Sequence, residues 1–244
     1  MFELFHAEPA SNSLKVLLCL KEKGIAFKSH PINLQAFEQH EDWFLKINPD
    51  GQVPVLVHDG TVLTESTVIN EYLDTVVPEP PLRPADPIEA ARMRQFTKYV
   101  DEYFRPALSH IGWQLMIHTI TDKLSKEEFE ARLARIPREE KREKWRIAAA
   151  QGYTQEQMAA WRRTLEEGVR KMEAALARGP WLAGEHYSLA DIAMFAMAAN
   201  MPARFGDFMN ETNSPRAMEW HARMNARPAV KAALAVPSPV KKAG

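Results

Sequence analysis

Over the first 77 residues the spacing of hydrophobic positions changes repeatedly between strand and helix character. Residues 2–6 read as a strand, and 7–10, with Pro9, as a loop. Ser11 or Asn12 caps an apolar helix over 14–23 that stops at Gly24, a residue suited to the left-handed position past a helix end. A second strand over 26–32 makes a β-α-β unit, whose crossover should be right-handed. The polar, aromatic stretch 35–47 predicts a short helix with irregular flanks. Pro54 cannot donate to a ladder, so it belongs at a strand start, and the Val53-Pro54 bond admits a cis form. Asp59-Gly60 between short β-branched runs predicts a two-residue type I′ hairpin, which needs positive φ at both positions. Ser66 then stands where the cap of a helix over 67–77 would stand. The expected order is β-α-β-α-β-β-α.

Five prolines in the eleven residues 77–87 cannot be helix or central strand and predict a stiff linker. Beyond it strand patterning vanishes, and helical spacing runs through 88–118, 126–136, 153–178, 188–200 and 214–234. The charged stretch 136–146 reads as a solvated helix face or a mobile connection. Ser188-Leu189-Ala190-Asp191 is a capping box opening a helix that is apolar almost all round, the expected core helix of this half. The fold class is therefore α/β plus all-α: a small domain over 1–78, a linker over 79–87 and a helical domain over 88–244.

Composition narrows the function only by exclusion. With 45% hydrophobic and 26% charged residues in 244, the chain has an ordinary soluble make-up. A net charge of −1 offers no field for nucleic acid or an anionic membrane, and Lys241-Lys242 is too short to change that. No apolar run approaches a membrane span, and the first residues lack the pattern of a signal peptide, so a cytoplasmic protein is expected. Asn210-Glu211-Thr212 is accordingly a chance match to the glycosylation pattern. A single cysteine, Cys19, excludes an internal disulfide, a CxxC pair and a multi-Cys zinc site, and reads as core packing. His6 and His58 read as strand residues. His110 and His118 lack any partner at metal spacing, and there is no phosphate-binding glycine loop.

The chemistry concentrates in 51–66. A helix start beside a strand edge with free amides can hold a carboxylate, so this segment reads as a grip for a small acidic peptide. Together with the linker and the helical half, the motifs Asn48-Pro49-Asp50-Gly51-Gln52-Val53-Pro54-Val55-Leu56, Leu63-Thr64-Glu65-Ser66-Thr67-Val68-Ile69 and Ser188-Leu189-Ala190-Asp191-Ile192-Ala193 resemble the cytosolic glutathione S-transferase superfamily. The resemblance implies an N-terminal thioredoxin-like domain, a C-terminal helical bundle, glutathione as cosubstrate and a homodimer. Within that superfamily, Ala10-Ser11-Asn12-Ser13-Leu14-Lys15, Phe37-Glu38-Gln39-His40-Glu41-Asp42-Trp43-Phe44, Leu82-Arg83-Pro84-Ala85-Asp86-Pro87, Ile111-Gly112-Trp113 and the charged insert between Thr121 and Tyr153 are similar to the bacterial β-etherases. Those enzymes use glutathione to cleave β-aryl ethers derived from lignin.

The resemblance distributes roles over this sequence. Ser11, Asn12 and Ser13 are candidates to hydrogen-bond the glutathione thiolate and lower its pKa, with Ser13 first by the family pattern. The same residue types also suit any helix start. The loop holds no Tyr or Cys, which argues against the transferases that use those groups. Val53, before Pro54, would pair its backbone with the cysteinyl unit, and Glu65 and Ser66 would take the γ-glutamyl end. Glu65 also suits a first turn simply as an acid favoured by the helix dipole. Gln39, His40 and Gln52 are candidates for the glycine carboxylate, and Tyr103, Phe104, Ile111, Trp113 and Met116 for the walls around an aromatic ether substrate. Two alternatives stay open: a transferase acting on other electrophiles, and a non-catalytic binding module of the same fold.

Overall fold

The computed structural model describes residues 1–150 and 152–238. In chain order the first part holds β1 (Phe2–His6), α1 (Ser11–Glu22), β2 (Phe27–Pro31), two 3-10 turns (Leu34–Ala36 and Glu38–His40), α2 (Asp42–Leu45), β3 (Val55–His58), β4 (Thr61–Leu63) and α3 (Ser66–Val76). The second part holds α4 (Pro87–Tyr99), a π-helical turn (Val100–Phe104), α5 (Arg105–Thr121), α6 (Lys126–Ala134), α7 (Glu139–Ala150) and α8 (Gln155–Leu176). It ends with α9 (Leu189–Ala198), α10 (Met201–Arg204), α11 (Pro215–Ala226) and α12 (Pro228–Leu234).

The sheet order is β2-β1-β3-β4, with β1 parallel to β2 and antiparallel to β3, and β3 antiparallel to β4. Asp59 and Gly60 both take positive φ (48° and 82°), the hairpin conformation expected of Asp-Gly. Val53-Pro54 is cis. Helix α1 is apolar on nearly every side, with Leu14, Val16, Leu17, Leu18 and Leu20 buried. It needs that pattern because it is packed by α3, α9 and α12 together. Cys19 lies fully buried in the same core, and burial pushes its thiol pKa up, as packing rather than reactivity requires.

Three boundaries differ from the sequence reading. The 88–118 segment is not one helix: Pro106 removes a backbone donor in its interior, and the helix widens into the π turn just before it. The 214–234 segment splits at Arg227, which is extended because Pro228 follows it. Helix α3 starts at Ser66 itself, and the cap position falls on Glu65.

The π turn carries Asp101 to the first domain. There Lys15, fully buried in α1, donates to Asp101 Oδ1 at 2.8 Å and to Thr67 Oγ1 at 2.7 Å. The charged 136–146 stretch is ordered: it forms most of α7, whose Trp145 and Ala148 are buried while most of its charges stay solvated. Its apolar side joins a separate cluster with Ile117, Ile120, Leu133, Ile136 and, from the other domain, Phe37. Phe37 sits at a φ of 62° and packs with its ring tilted against Trp145, centroids 4.7 Å apart. A bulky residue rarely holds that conformation, and here its complete burial compensates.

The capping box stands as expected. Buried Asp191 accepts from the amides of Ser188 and Leu182, both at 3.0 Å, and from Trp220 Nε1 at 2.9 Å. The linker residues 77–86 lie outside helix and strand, and Asp74 fixes them through Lys23, Arg83 and the Leu82 amide. The last six residues of the expected helical domain, Lys241-Lys242 among them, lie outside the described residues.

Candidate functional site

The chain leaves β1 and bends through Ala7 to Ala10 before Ser11 opens α1 at a φ of 50°. That bend separates the three polar residues of the helix start. Ser13 turns inward: it is 4% exposed, and its Oγ accepts the Ala7 amide at 3.0 Å. Ser11 faces out, its Oγ 3.6 Å from Met197 Sδ. Asn12 lies between them, half-buried, with a buried Oδ1 that has no hydrogen-bond partner.

A second wall comes from the loop before β3. Asn48 ties it, donating to the Gln52 carbonyl at 2.8 Å and accepting the Asp50 amide at 3.1 Å. Gly51 is required here: its φ is 60°, and a Cβ would stand 2.7 Å from His40 Cδ2 and 3.1 Å from the Gln39 carbonyl. Gln39 and His40 are thus held against this loop, both buried, and Gln39 Oε1 and His40 Nδ1 lack partners. Burial, reinforced by Arg135, pulls His40 down to about 4, so the ring is neutral at pH 7. At the other end Glu65 holds a φ of 66°, a strained conformation that costs about 1–3 kcal/mol and is characteristic of functional positions. Ser66 follows, buried, with its amide at the positive end of α3.

Asn12, Gln52, Val53, Pro54, Glu65 and Ser66 line one narrow polar cleft together with Asn48, Asp50 and Thr64. At ≈ 30 Å³ it takes one polar end-group rather than a whole peptide. Beside it, beginning at Pro9, Ala10 and Ser11, opens a mostly apolar cavity of ≈ 410 Å³. The adjacent residues Ser11 and Asn12 therefore mark the join between a polar cleft and an apolar chamber.

The walls of that chamber include part of the set expected from the sequence. Trp113 and Met116 line it; Tyr103, Phe104 and Ile111 do not. Phe104 and Ile111, with Ala107, form the face of the helix that turns into the protein core. Tyr103 points to solvent, 56% exposed, and stacks on Tyr99. The face that does line the chamber is Arg105, Leu108, Ser109, Gly112, Trp113 and Met116. Its spacing of three and four residues was legible once Trp113 fixed the side. The opposite wall, Met197, Asn200, Met201, Arg204 and Phe205, comes from α9 and α10 and carried no local signal. Ser13, Gln39 and His40 line neither space.

Cations gather at the chamber's edge. Arg105 lines it, and Lys144 of α7 donates to Ser109 Oγ at 3.1 Å and lies over the Trp113 ring at 5.8 Å. Burial first, then Lys141 and Arg105, bring Lys144 down to about 8. Burial, Lys144 and Arg105 likewise lower His110, which is bonded to the Pro106 carbonyl at 2.7 Å. Among the described residues no cluster of His, Cys, Asp and Glu could hold a metal ion, and no helix is long and apolar enough to cross a membrane.

A mixed four-stranded sheet with a cis-Pro loop, joined to a helical bundle with an apolar chamber at the join, defines the class, and comparison agrees with it. Residues 10–76 match the glutathione S-transferase N-terminal domain family and 155–223 the glutathione S-transferase C-terminal domain family. Protein LigF of Sphingobium sp. (strain NBRC 103272 / SYK-6) is 46% identical over 94% of this chain and 91% of its own length. The crystal structure of beta-etherase LigF from that strain superposes with a TM-score of 0.90, covering 95% of this chain and 98% of that one. Glutathione S-transferase 3 of Zea mays is 28% identical, over 97% of this chain and 95% of its own. At 24% identity, glutathione transferase F7 from Populus trichocarpa shares the fold with a TM-score of 0.74, covering 96% and 97%. This chain belongs to the glutathione S-transferase family.

Proposed function

We propose that the protein is a glutathione-dependent β-etherase that cleaves the β-aryl ether bond of lignin-derived α-keto aromatics. The observation that carries this reading is the meeting of the polar cleft and the apolar chamber at Ser11-Asn12. Its likeness to beta-etherase LigF over nearly the whole chain supports the choice of substrate. Glutathione suits the cleft by its polar complement. Asn12 lines it, and its buried Oδ1 is unpaired, a state that costs about 1–3 kcal/mol unless a ligand supplies the partner.

In this reading Glu65 takes the ammonium, and the Ser66 hydroxyl and amide take the carboxylate, of the γ-glutamyl end. The Val53 backbone pairs with the cysteinyl unit, and Gln52 faces the glycine end, with Gln39 and His40 behind it against the Gly51 loop. The sulfur then falls at the join, within reach of the Asn12 amide and the exposed Ser11 hydroxyl. Ser13 acts through the loop, by holding Ala7. Glutathione supplies a thiolate nucleophile, and the protein's part is to stabilise it and align the ether in the chamber, against Trp113 and Met116. Attack at the β-carbon, activated by the neighbouring ketone, releases a phenol and leaves a glutathione thioether.

The protein is further proposed to act in the cytoplasm as a homodimer, for which Val62 of β4 and Val68 of α3 offer exposed apolar side chains. Sedimentation equilibrium tests the dimer. A competition experiment tests the substrate: a β-aryl ether ketone is expected to be consumed ahead of halogenated and epoxide electrophiles. Preference for the latter would favour a transferase of broader scope.

A further inference from the structure

Cleaving an aryl ether needs more than a nucleophile, because the departing aryloxide is a poor leaving group unless it is protonated or held by a donor. Besides Ser11, which the reading above gives to the sulfur, the described residues lining the chamber include a second serine hydroxyl suited to that task. Ser109 stands on the cavity-lining face of α5, one turn before Trp113. Its Oγ accepts a hydrogen bond from the Lys144 ammonium at 3.1 Å. Among the described residues its own hydrogen has no protein acceptor. Lys144 reaches it from α7 across the Trp113 ring, so the insert helix supplies a cation to the chamber without lining it.

We propose that Ser109 is the acid that meets the departing aryloxide, with Lys144 as the positioning residue that polarises it. The assignment rests on the β-etherase reading above. As the C–S bond forms at the β-carbon, the C–O bond breaks and its electron pair passes to the aryl oxygen. The proton on that oxygen comes from the Ser109 hydroxyl, and the Lys144 ammonium restores it. The neutral amine then regains a proton from solvent after the phenol leaves.

The surroundings fit the direction of transfer. Lys141 on α7 and Arg105 and His110 on α5 face Lys144, and its burial among cations brings it to about 8. It is thus charged at pH 7, yet a stronger acid than a phenol, whose pKa is about 10. The acid form is lost as pH rises through that value, so this contribution to the rate fades on the alkaline side.

The test is a series of β-aryl ether ketones differing only in the acidity of the phenol released, assayed with the wild type, Ser109→Ala and Lys144→Met. With a guaiacol leaving group kcat is expected to fall about 100-fold in Ser109→Ala, the usual worth of a positioned acid, and in the same direction in Lys144→Met. With a nitrophenol leaving group, which departs unaided, the loss should shrink to about threefold or less, giving a steeper dependence on leaving-group pKa. The alkaline limb of the wild-type profile should vanish in Ser109→Ala. Equal losses across the series, or none, would overturn the assignment while leaving the β-etherase reading intact. If Lys144→Met does not fold, Ser109→Ala alone decides, since it removes one hydroxyl from a half-buried site. A wild type that releases no phenol from any ether would sink the reading and this inference with it.

Discussion

Replacing Asn12 and Ser13 separately by Ala should split two effects that adjacent residues at a helix start would otherwise confound. Ser13 Oγ accepts the amide of Ala7, which is itself only 5% exposed. Ser13→Ala leaves that buried donor unpaired, at about 1–3 kcal/mol. In a protein of this size each kcal/mol lowers Tm by about 2–4 °C, so a loss of roughly 2–12 °C is expected. The bound thiol should be little changed. Asn12 lines the polar cleft, and a hydrogen bond from its amide to a charged sulfur is worth about 1.5–3 kcal/mol. Asn12→Ala should therefore raise the pKa of bound glutathione by about 1–2 units, at 1.36 kcal/mol per unit. Removing a donor to the anion favours the thiol, so the thiolate fraction at pH 7 falls, by at most about 10- to 100-fold, and kcat falls with it. Thiolate ultraviolet absorbance of the bound peptide against pH reads the shift, and scanning calorimetry reads the stability. If Ser13→Ala shifted the thiol by more than a unit while Asn12→Ala did not, the division of roles would be refuted.

Three further outcomes follow from the geometry. Asp191→Ala should strand the amides of Leu182 and Ser188 and the Trp220 indole in the core, costing roughly 3 kcal/mol or more and lowering Tm by at least about 6 °C in calorimetry. Glu65→Ala should raise the Kd for glutathione about tenfold by titration calorimetry, with little effect on kcat once the site is saturated, because an exposed ion pair sits at the low end of charged hydrogen bonds. His40, held at about 4 in the fold against 6.5 unfolded, favours folding fully above pH 6.5, and that contribution is lost as pH falls through 4. Urea denaturation across that range should show the loss, and His40→Gln should flatten it.

How much of this was legible in the sequence depended on whether the deciding interaction was local. The hairpin, the cis-Pro loop and the capping box each rest on a few adjacent residues, and all three were readable. The π turn was written in Pro106 but hidden by continuous helical spacing on both sides of it. At the site, the cleft residues Asn12, Gln52, Val53, Glu65 and Ser66 could be named because they flank strand and helix ends. The inward turn of Ser13 could not, since it is set by the Ala7 amide six residues back. Choosing large apolar residues by type along the π turn and α5 mixed two faces, so that Phe104 and Ile111 fell in the core while Ser109 and Arg105 were passed over. Phe37 becomes meaningful only when the insert packs across the domain boundary, where it meets Trp145 about a hundred positions away, and Lys144 only when α7 folds back on α5 to reach Ser109.

The central claim is that bound thiolate displaces an aryloxide in the chamber beside Ser11-Asn12. Its most direct test is to incubate the protein with a β-aryl ether ketone and glutathione and quantify both products by liquid chromatography and mass spectrometry. The account predicts phenol and glutathione thioether in equal amounts, and neither when glutathione is omitted. Phenol release without glutathione, or glutathione consumed with the ether bond intact, would contradict it.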